Sequence, residues 1–499
     1  GRFKFFSISP SVEPFDEARY KALMDGLECS EILFSQIDLG DRFDSDYYTK
    51  NYLHISDQMS KVPTEKLGKL ATTVASAFYP AATQLYSEGD TAFARCVDCV
   101  SYPVITKDQD SKFEKIPYAF GKENKGISFI KAEDIIITKV GTPCYASILT
   151  DYSEIALSRT VMGLTGIHSV DPYYLMVFLR CKYGFDQLFR QRELTIQYQL
   201  TLPRVKAVDV YLANDMLQIK VMKLCKESKE FQQKSNEAYQ IAEQILRDIV
   251  DYPDDTALGT YSIKKINESF AISGRLDAEY YQPKYDILFD ELKKFSCKRL
   301  GGPNGIVNIK KSIEPGSEAY TEDGIPFVRV SDISKFGISE PDIKLRSDII
   351  PNPEVLFPPK DTILLSKDGS VGIAYKVEAT MPIITSGALL HLKVRDKTEV
   401  LPDYLTLVLN SPVVQLQAER DSNGAIIQHW KPSEIENVII PILGMDTQKE
   451  IAAKVQEAFT LRKQSKQLLE YAKQAVEMAI EQGEDVALAW LKDKIPVEV

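Results

Sequence analysis

One stretch near the middle of the chain, Arg275-Leu276-Asp277-Ala278-Glu279-Tyr280-Tyr281, has a near copy 233 residues earlier, Arg42-Phe43-Asp44-Ser45-Asp46-Tyr47-Tyr48. Each copy runs into the same apolar stripe: Tyr48, Tyr52, Ile55 and Met59 after the first, and Tyr281, Tyr285, Leu288 and Leu292 after the second. These spacings mark one face of an amphipathic helix. Pro283 suits the first position of the second helix, and Thr49 stands where the first needs a cap. A period this long is not that of a solenoid and predicts a tandem duplication into two domains.

The two halves follow one scheme. Residues 1–41 are a lead-in, with a strand-like Phe3–Ile8 and a helical pattern from Pro14 through Ala22, Leu23 and Leu27. Residues 42–213 form the first β-rich domain, with strands at Ile135–Thr138 and Val161–Leu164 and a helical segment from Pro172 to Phe189. Residues 214–250 read as one long helix. Leu217, Leu224, Phe231, Ala238 and Ile245 fall seven apart, with Val221, Ser228, Ser235, Ala242 and Ile249 interleaved. At about 1.5 Å per residue it spans roughly 55 Å.

Residues 256–443 repeat the β-rich domain, with strands near Pro326–Val330, Thr362–Leu365 and Gly387–Val394, and Ser262–Ile272 echoes the lead-in around Ser30–Leu39. A second long helix, 447–481, carries the seam Ile451, Val455, Ala458, Arg462, Ser465, Leu469, Ala472, Val476 and Ala479, and 482–499 is a tail. The expected fold class is α+β: two tandem β-rich domains joined and separated by two long antiparallel helices.

Composition bounds the functions open to such a chain. Its 44% hydrophobic and 26% charged residues describe a soluble globular protein. The longest uncharged run, Leu70–Ser87, is rich in Ala, Thr and Ser and contains Pro80, so no membrane span is expected. No secretory signal is read at the start. Seven irregularly spaced cysteines predict free thiols in a reducing compartment, and Cys96-Val97-Asp98-Cys99 has no second pair to complete a zinc site. A net charge of −11 excludes a simple basic nucleic-acid coat, but leaves room for DNA binding by a local patch.

No intrinsic active site is legible. The glycine-rich cofactor loop and Asn/Asp-Pro-Pro-aromatic turn of a base methyltransferase are missing, and no phosphate-binding Gly-x-x-x-x-Gly-Lys loop occurs. His54, His168, His391 and His429 lack ligand spacing, so no metal is expected.

The candidate binding residues lie in matched places. The loop Lys367-Asp368-Gly369-Ser370-Val371-Gly372 corresponds to Lys139-Val140-Gly141-Thr142. It could cradle a phosphate, and a plain hairpin turn accounts for it equally well. Gln428-His429-Trp430-Lys431 and Gln197-Tyr198-Gln199 mix amides with aromatics, side chains that can read base edges, although buried structural amides fit the same pattern. Arg329, Lys335, Lys344 and Arg346 form a local basic cluster, and Arg159 adds a further cation to the first half.

Taken together, these features resemble the specificity subunit of type I restriction–modification systems. The resemblance spans essentially the whole chain. It rests on the Arg-x-Asp-x-acid-Tyr-Tyr start of each half, the Ile-x-x-Ser-x-Asp-Gly-x-x-Gly run from Ile363 to Gly372, Thr385-Ser386-Gly387, Ile427-Gln428-His429, and Pro441 leading to Gln448-Lys449-Glu450-Ile451. The first half lacks the Asp-Gly loop and the Gln-Lys-Glu-Ile helix start.

The resemblance implies a non-catalytic, cytoplasmic protein of a bacterium or archaeon. Each β-rich unit would be a target recognition domain reading one half of a bipartite double-stranded DNA sequence, and the two helices a ruler of about 16 base pairs at ~3.4 Å per step. Partners would be two methyltransferase subunits carrying S-adenosylmethionine, which flip the target adenine, and restriction/translocase subunits. Lys139, Arg159, Gln197, Tyr198, Arg329, Lys335, Lys367, Ser370, Gln428, His429 and Lys431 are the expected DNA contacts, and Tyr47, Tyr48, Tyr280 and Tyr281 the expected docking residues for partners. The alternative is a non-catalytic DNA mimic or scaffold of the same fold.

Overall fold

The computed structural model describes residues 16–34, 37, 42, 44–77, 89–100, 102–193, 198–252, 262–321, 323–422 and 428–495. Its contacts divide the chain into two compact units, Gly1–Glu230 with Ser465–Val499, and Phe231–Gln464. Both divisions fall inside a long helix, so each unit comprises one β-rich body and half of each helix. The expected strand Phe3–Ile8 lies outside the described residues.

In the first unit a five-stranded sheet runs in the order Thr72–Ala75, Val161–Thr165, Ile135–Thr138, Ala146–Leu149, Val104–Ile105. Ile135–Thr138 and Ala146–Leu149 are buried at every position rather than alternating, so both faces of this sheet are covered. A four-stranded sheet, Glu114–Ile116, Thr91–Ala94, Ile155–Leu157, Phe129–Ile130, and a two-stranded pair, Thr64–Lys66 with Asp209–Tyr211, belong to the same unit.

The expected helical segment Pro172–Phe189 forms as two helices, Pro172–Arg180 and Lys182–Arg190. Asp171 caps the first through the N–H groups of Tyr173 and Tyr174. Cys181 is buried in extended backbone between them. The turn is so tight that a Cβ on Gly184 would stand 2.0 Å from the Phe178 carbonyl oxygen. Hydrophobic periodicity runs through such a break without registering it.

The second unit repeats this arrangement. One four-stranded sheet runs Val307–Lys311, Leu389–Val394, Ile363–Ser366, Ala374–Lys376, and a second runs Tyr320–Thr321, Lys344–Leu345, Ile325–Val328, Ile384–Thr385, beside shorter two-stranded pairs. The parallel pairing of Phe327 with Ile384 matches that of Phe93 with Ala156. Helices Pro402–Asn410 and Pro412–Asp421 follow.

The duplication extends to single hydrogen bonds. Tyr174 Oη donates to the Tyr211 carbonyl at 2.8 Å, and Tyr404 Oη to that of Pro441 at 2.7 Å. Gln218 Nε2 bonds the Ala213 carbonyl as Gln448 Nε2 bonds that of Leu443. Gln187 and Gln417 each clasp the backbone of the last strand of their unit through both amide atoms.

The repeated Tyr-Tyr stretch is a 3-10 turn in both copies, Ser45–Tyr48 and Ala278–Tyr281, ahead of helices Lys50–Met59 and Pro283–Leu292. The stripe is buried as its spacing demands at Ile55 and Met59, and at Tyr285, Leu288 and Leu292. Full burial of Leu288 contributes roughly 1.5–3 kcal/mol. Thr49 occupies its capping position without a side-chain bond.

The first long helix, Asp215–Ile249, buries Leu217, Val221, Leu224, Ser228, Ser235, Ala238 and Ala242 along the expected seam. At its end the seam moves by one residue: Leu246 and Val250 are buried, while Ile249 is 38% exposed. A straight helix drifts about 20° per heptad against a seven-residue repeat, which over five heptads amounts to one residue.

The second long helix, Met445–Gln482, buries Ile451, Val455, Ala458, Ser465, Ala472, Val476 and Ala479. The helices run antiparallel. In the first unit Ser228 and Ser465 exchange bonds to each other's carbonyl oxygens at 2.9 and 2.8 Å, and in the second Ser235 Oγ donates to the Ala458 carbonyl at 2.7 Å.

The segment expected as a tail contains a further helix, Glu484–Lys494. Glu484 accepts from Tyr211 Oη and the Asn214 N–H, and Ala487 and Leu491 are buried. Two apolar contacts are too few to mark a stripe in sequence.

Candidate nucleic-acid interface

Four segments of the second unit are laced together by backbone hydrogen bonds at the strand ends. The loop Lys367–Gly372 joins strands Ile363–Ser366 and Ala374–Lys376. Gly369 and Gly372 have φ of +74° and +86°, a conformation that side chains other than glycine seldom adopt. Asp368 and Gly369 then pair in antiparallel register with His429 and Gln428. The Trp430 N–H donates to the Lys367 carbonyl at 2.8 Å, and the fully buried indole anchors that segment. The Lys367 N–H donates to the Ala388 carbonyl and the Ser386 N–H to that of Val328, both at 2.9 Å.

The first unit is laced in the same way. Leu200 N–H donates to the Lys139 carbonyl at 3.0 Å, Lys139 N–H to that of Thr160 at 2.8 Å, and Ser158 N–H to that of Ala94 at 2.9 Å. Backbone bonding therefore sets Lys139 against Lys367, Arg159 against Gly387, Leu200 against Trp430, Tyr198 against Gln428 and Gln199 against His429. Matching the two sequences by their Ile-Gln pairs sets the register of this last segment one residue too early. Gln197 itself lies outside the described residues; Tyr198 takes the place opposite Gln428, and Gln199, bridged to Val140 and Glu193, that opposite His429.

The side chains on this shared frame differ between units. In the second, Gln428, His429, Ser370 and Lys431 are exposed. His429 Nδ1 lies 2.9 Å from Asp368 Oδ1, and Lys367 pairs with the other oxygen of the same carboxylate. Burial would raise the Asp368 carboxyl, but the bonds from Lys367 and His429 outweigh it and hold the group below the usual carboxylate range. Lys367 is thus a mostly covered, internally matched cation rather than a free phosphate hook. Lys431 Nζ stands 3.7 Å from Glu434 Oε1.

In the first unit Arg159 is exposed and Lys139 half-buried. The Arg192 guanidinium stacks on the Tyr198 ring at 4.0 Å.

Several expected residues serve elsewhere. Lys335 bonds Glu243 of the first long helix at 2.9 Å and sits 4.4 Å above the Tyr239 ring, so it braces the helix and is not part of the laced site. The paired tyrosines are engaged within their own units. Tyr47 lies between the guanidinium groups of Arg42 and Arg190, at 4.5 and 4.0 Å, and Tyr280 between Arg275 and Arg420, at 4.6 and 5.0 Å. Tyr48 and Tyr281 donate to the carbonyls of Arg42 and Arg275.

One residue of the laced frames escapes sequence reading, Arg95. The signal for Arg95 is present: Arg95-Cys96-Val97-Asp98 and Arg329-Val330-Ser331-Asp332 share a spacing, and in each the arginine N–H is capped by the aspartate. Among the described residues no cluster of three His, Cys, Asp or Glu side chains could hold a metal, and no helix is long and apolar enough to cross a membrane.

No family model and no curated protein matches the chain. It is similar to the solved S subunit of a type I restriction–modification system from M. genitalium, at 12% identity and a TM-score of 0.36, covering 84% of this chain and 94% of that one. It is also similar to the HsdS subunit from Thermoanaerobacter tengcongensis, at 14% identity and a TM-score of 0.27, over 85% of this chain and 96% of that one. A third structure, solved for complex assembly and conformational transition of the type I R-M system, shows 16% identity and a TM-score of 0.28, over 85% and 99%. All three come from type I restriction–modification systems.

Proposed function

We propose that this chain is a non-catalytic DNA specificity subunit. Each unit reads one half of a bipartite target in double-stranded DNA, and the assembled chain positions two methyltransferase subunits, together with restriction/translocase subunits, on that target. S-adenosylmethionine and the chemistry at adenine belong to the partners. The reading is supported above all by the laced segments: one backbone frame, held by the same bonds in both units, carries Tyr198, Gln199 and Arg159 in one unit and Gln428, His429 and Ser370 in the other. A common frame with different exposed polar tips suits two readers of two sequences, because base readout depends on side chains while the frame sets where they reach. The long helices supply a continuous ruler between the two half-sites.

The test is to mutate the tips one unit at a time in the methyltransferase complex. Gln428→Ala and His429→Ala should alter or relax only one half of the methylated motif, and Tyr198→Ala and Gln199→Ala only the other. Unchanged motifs in all four would remove these segments from the readout. The net charge of −11 favours the second reading, a DNA mimic or scaffold. A chain that competes with DNA for the methyltransferase, instead of guiding it, would establish that one.

A further inference from the structure

Comparison of the two laced frames exposes a difference at one point. In the first unit every polar group there has an internal partner. Arg95 is held by Asp98, at 3.2 Å from Nε and 3.3 Å from Nη2, and by Glu114, 3.3 Å from Nη1. Ser158 Oγ bonds Thr160 Oγ1 at 2.7 Å.

In the second unit the same backbone positions hold Arg329, Ser386 and Ala388, and alanine offers no hydroxyl. Ser386 is 7% exposed and its Oγ has no hydrogen-bond partner among the described residues; nor does the buried Arg329 Nε. The nearest acid to Arg329, Asp332, stands 3.8 Å from Nε, beyond hydrogen-bond reach, with its Oδ2 taken by the Arg329 N–H at 2.8 Å. The Arg329 side chain as a whole is 40% exposed, although its Nε is covered. Ser312, whose Oγ is likewise unpartnered, lies beside Ile313, which bridges to Ser386. A buried donor left unmade costs about 1–3 kcal/mol, which a ligand acceptor recovers.

We propose that Arg329 and Ser386 form a binding notch for one phosphate oxygen pair of the DNA backbone, present in the second unit and closed in the first. The inference rests on the DNA-reading function proposed above. A guanidinium fork presents paired donors to a phosphate, and the serine hydroxyl adds a third. Lys311 and Glu314, which lie against Gly387 next to this point, offset each other, so the anion is selected by the donors rather than by net charge. A phosphate is the fitting ligand because both residues sit back at the strand ends, while Gln428 and His429 stand exposed on the paired segment nearby. Such a contact fixes the register of the unit on the duplex and carries no sequence information.

The experiment measures binding of the full-length chain in its methyltransferase complex to a duplex bearing the mapped motif and to a scrambled duplex, across a salt series. Arg329→Ala should weaken both equally, by about 10-fold, lower the slope of log K against log salt by about 0.9, and leave the methylated motif unchanged. Ser386→Ala should weaken both by about 3-fold without changing the slope. Arg329→Lys should retain the slope while losing affinity, which separates a lost contact from a misfolded chain.

An unaltered slope and affinity in Arg329→Ala would overturn the notch while the DNA-reading function stands. A changed base in the motif would also overturn it, because Arg329 would then be reading a base. A wild-type complex that binds neither duplex would overturn the function itself.

Discussion

At the scale of single residues, the structure separates cations that are spent inside the fold from those that face outward. Lys367 and Lys335 carry the charge that a sequence reading assigns to DNA, yet each is matched by an acid of its own unit. Gln428 and His429 bear the exposed polar atoms, and replacing either with alanine should cost about 1–3 kcal/mol of discrimination at one base position, measured as the ratio of binding to cognate and singly substituted duplexes.

His391 illustrates the opposite case. It is buried against Thr385, with Nε2 2.8 Å from Oγ1, and burial, helped by Lys310, pushes its pKa from 6.5 down to about 4. The unfolded chain therefore takes up a proton near pH 6.5 that the folded chain refuses until about pH 4. Stability is fully present above pH 6.5 and falls by about 3 kcal/mol as the pH drops to 4. Denaturant titrations across this range should show that loss in the wild type and a shallower one in His391→Gln.

Among the elements, the second unit contains a buried ion pair that is missing from the matched positions of the first. Lys376 Nζ lies 2.7 Å from Asp403 Oδ1 and 3.2 Å from Glu378, while Asp403 Oδ2 accepts from Gln456 of the second long helix at 3.0 Å. Burial alone would depress the Lys376 ammonium, but the two carboxylates outweigh it and raise its pKa. The strand registers place Ile148 at the position of Lys376, and Tyr173 precedes the tyrosine that matches Tyr404. Removing one partner strands a buried charge, so Lys376→Ala should cost about 3–5 kcal/mol, whereas Lys376→Ile with Asp403→Tyr should recover most of it. Chemical denaturation of the three variants checks this; a double variant no more stable than Lys376→Ala would contradict it.

The strands and helices that sequence reads well are those with a short unbroken apolar run, Ile135–Thr138 and Val161–Thr165, or with a sustained period, the seam from Leu217 to Ala242. Those it misses are set by local geometry or by tertiary contact. They include the break at Cys181, the one-residue shift to Leu246 and Val250, and the last helix held by Glu484.

For the whole molecule, the duplication was legible from two short motifs and their helices. The candidate site was only half legible. Residue order shows that Lys367–Gly372 and Gln428–His429 each have a counterpart, but the pairing of Asp368 with His429 across 61 residues is a product of folding. So is the register that sets Tyr198, not Gln197, against Gln428. If the paired helices set the gap between half-sites, seven residues inserted after Phe231 together with seven after Leu461 should lengthen the gap by about three base pairs and leave both half-sites unchanged.

The most direct test of the central claim is to co-express the chain with adenine methyltransferase subunits of a type I restriction–modification system and to map methylated adenines across the host DNA. Two short specific segments separated by a fixed unspecified gap are the predicted result. A stable complex that methylates nothing, or that methylates a single contiguous motif, would contradict it.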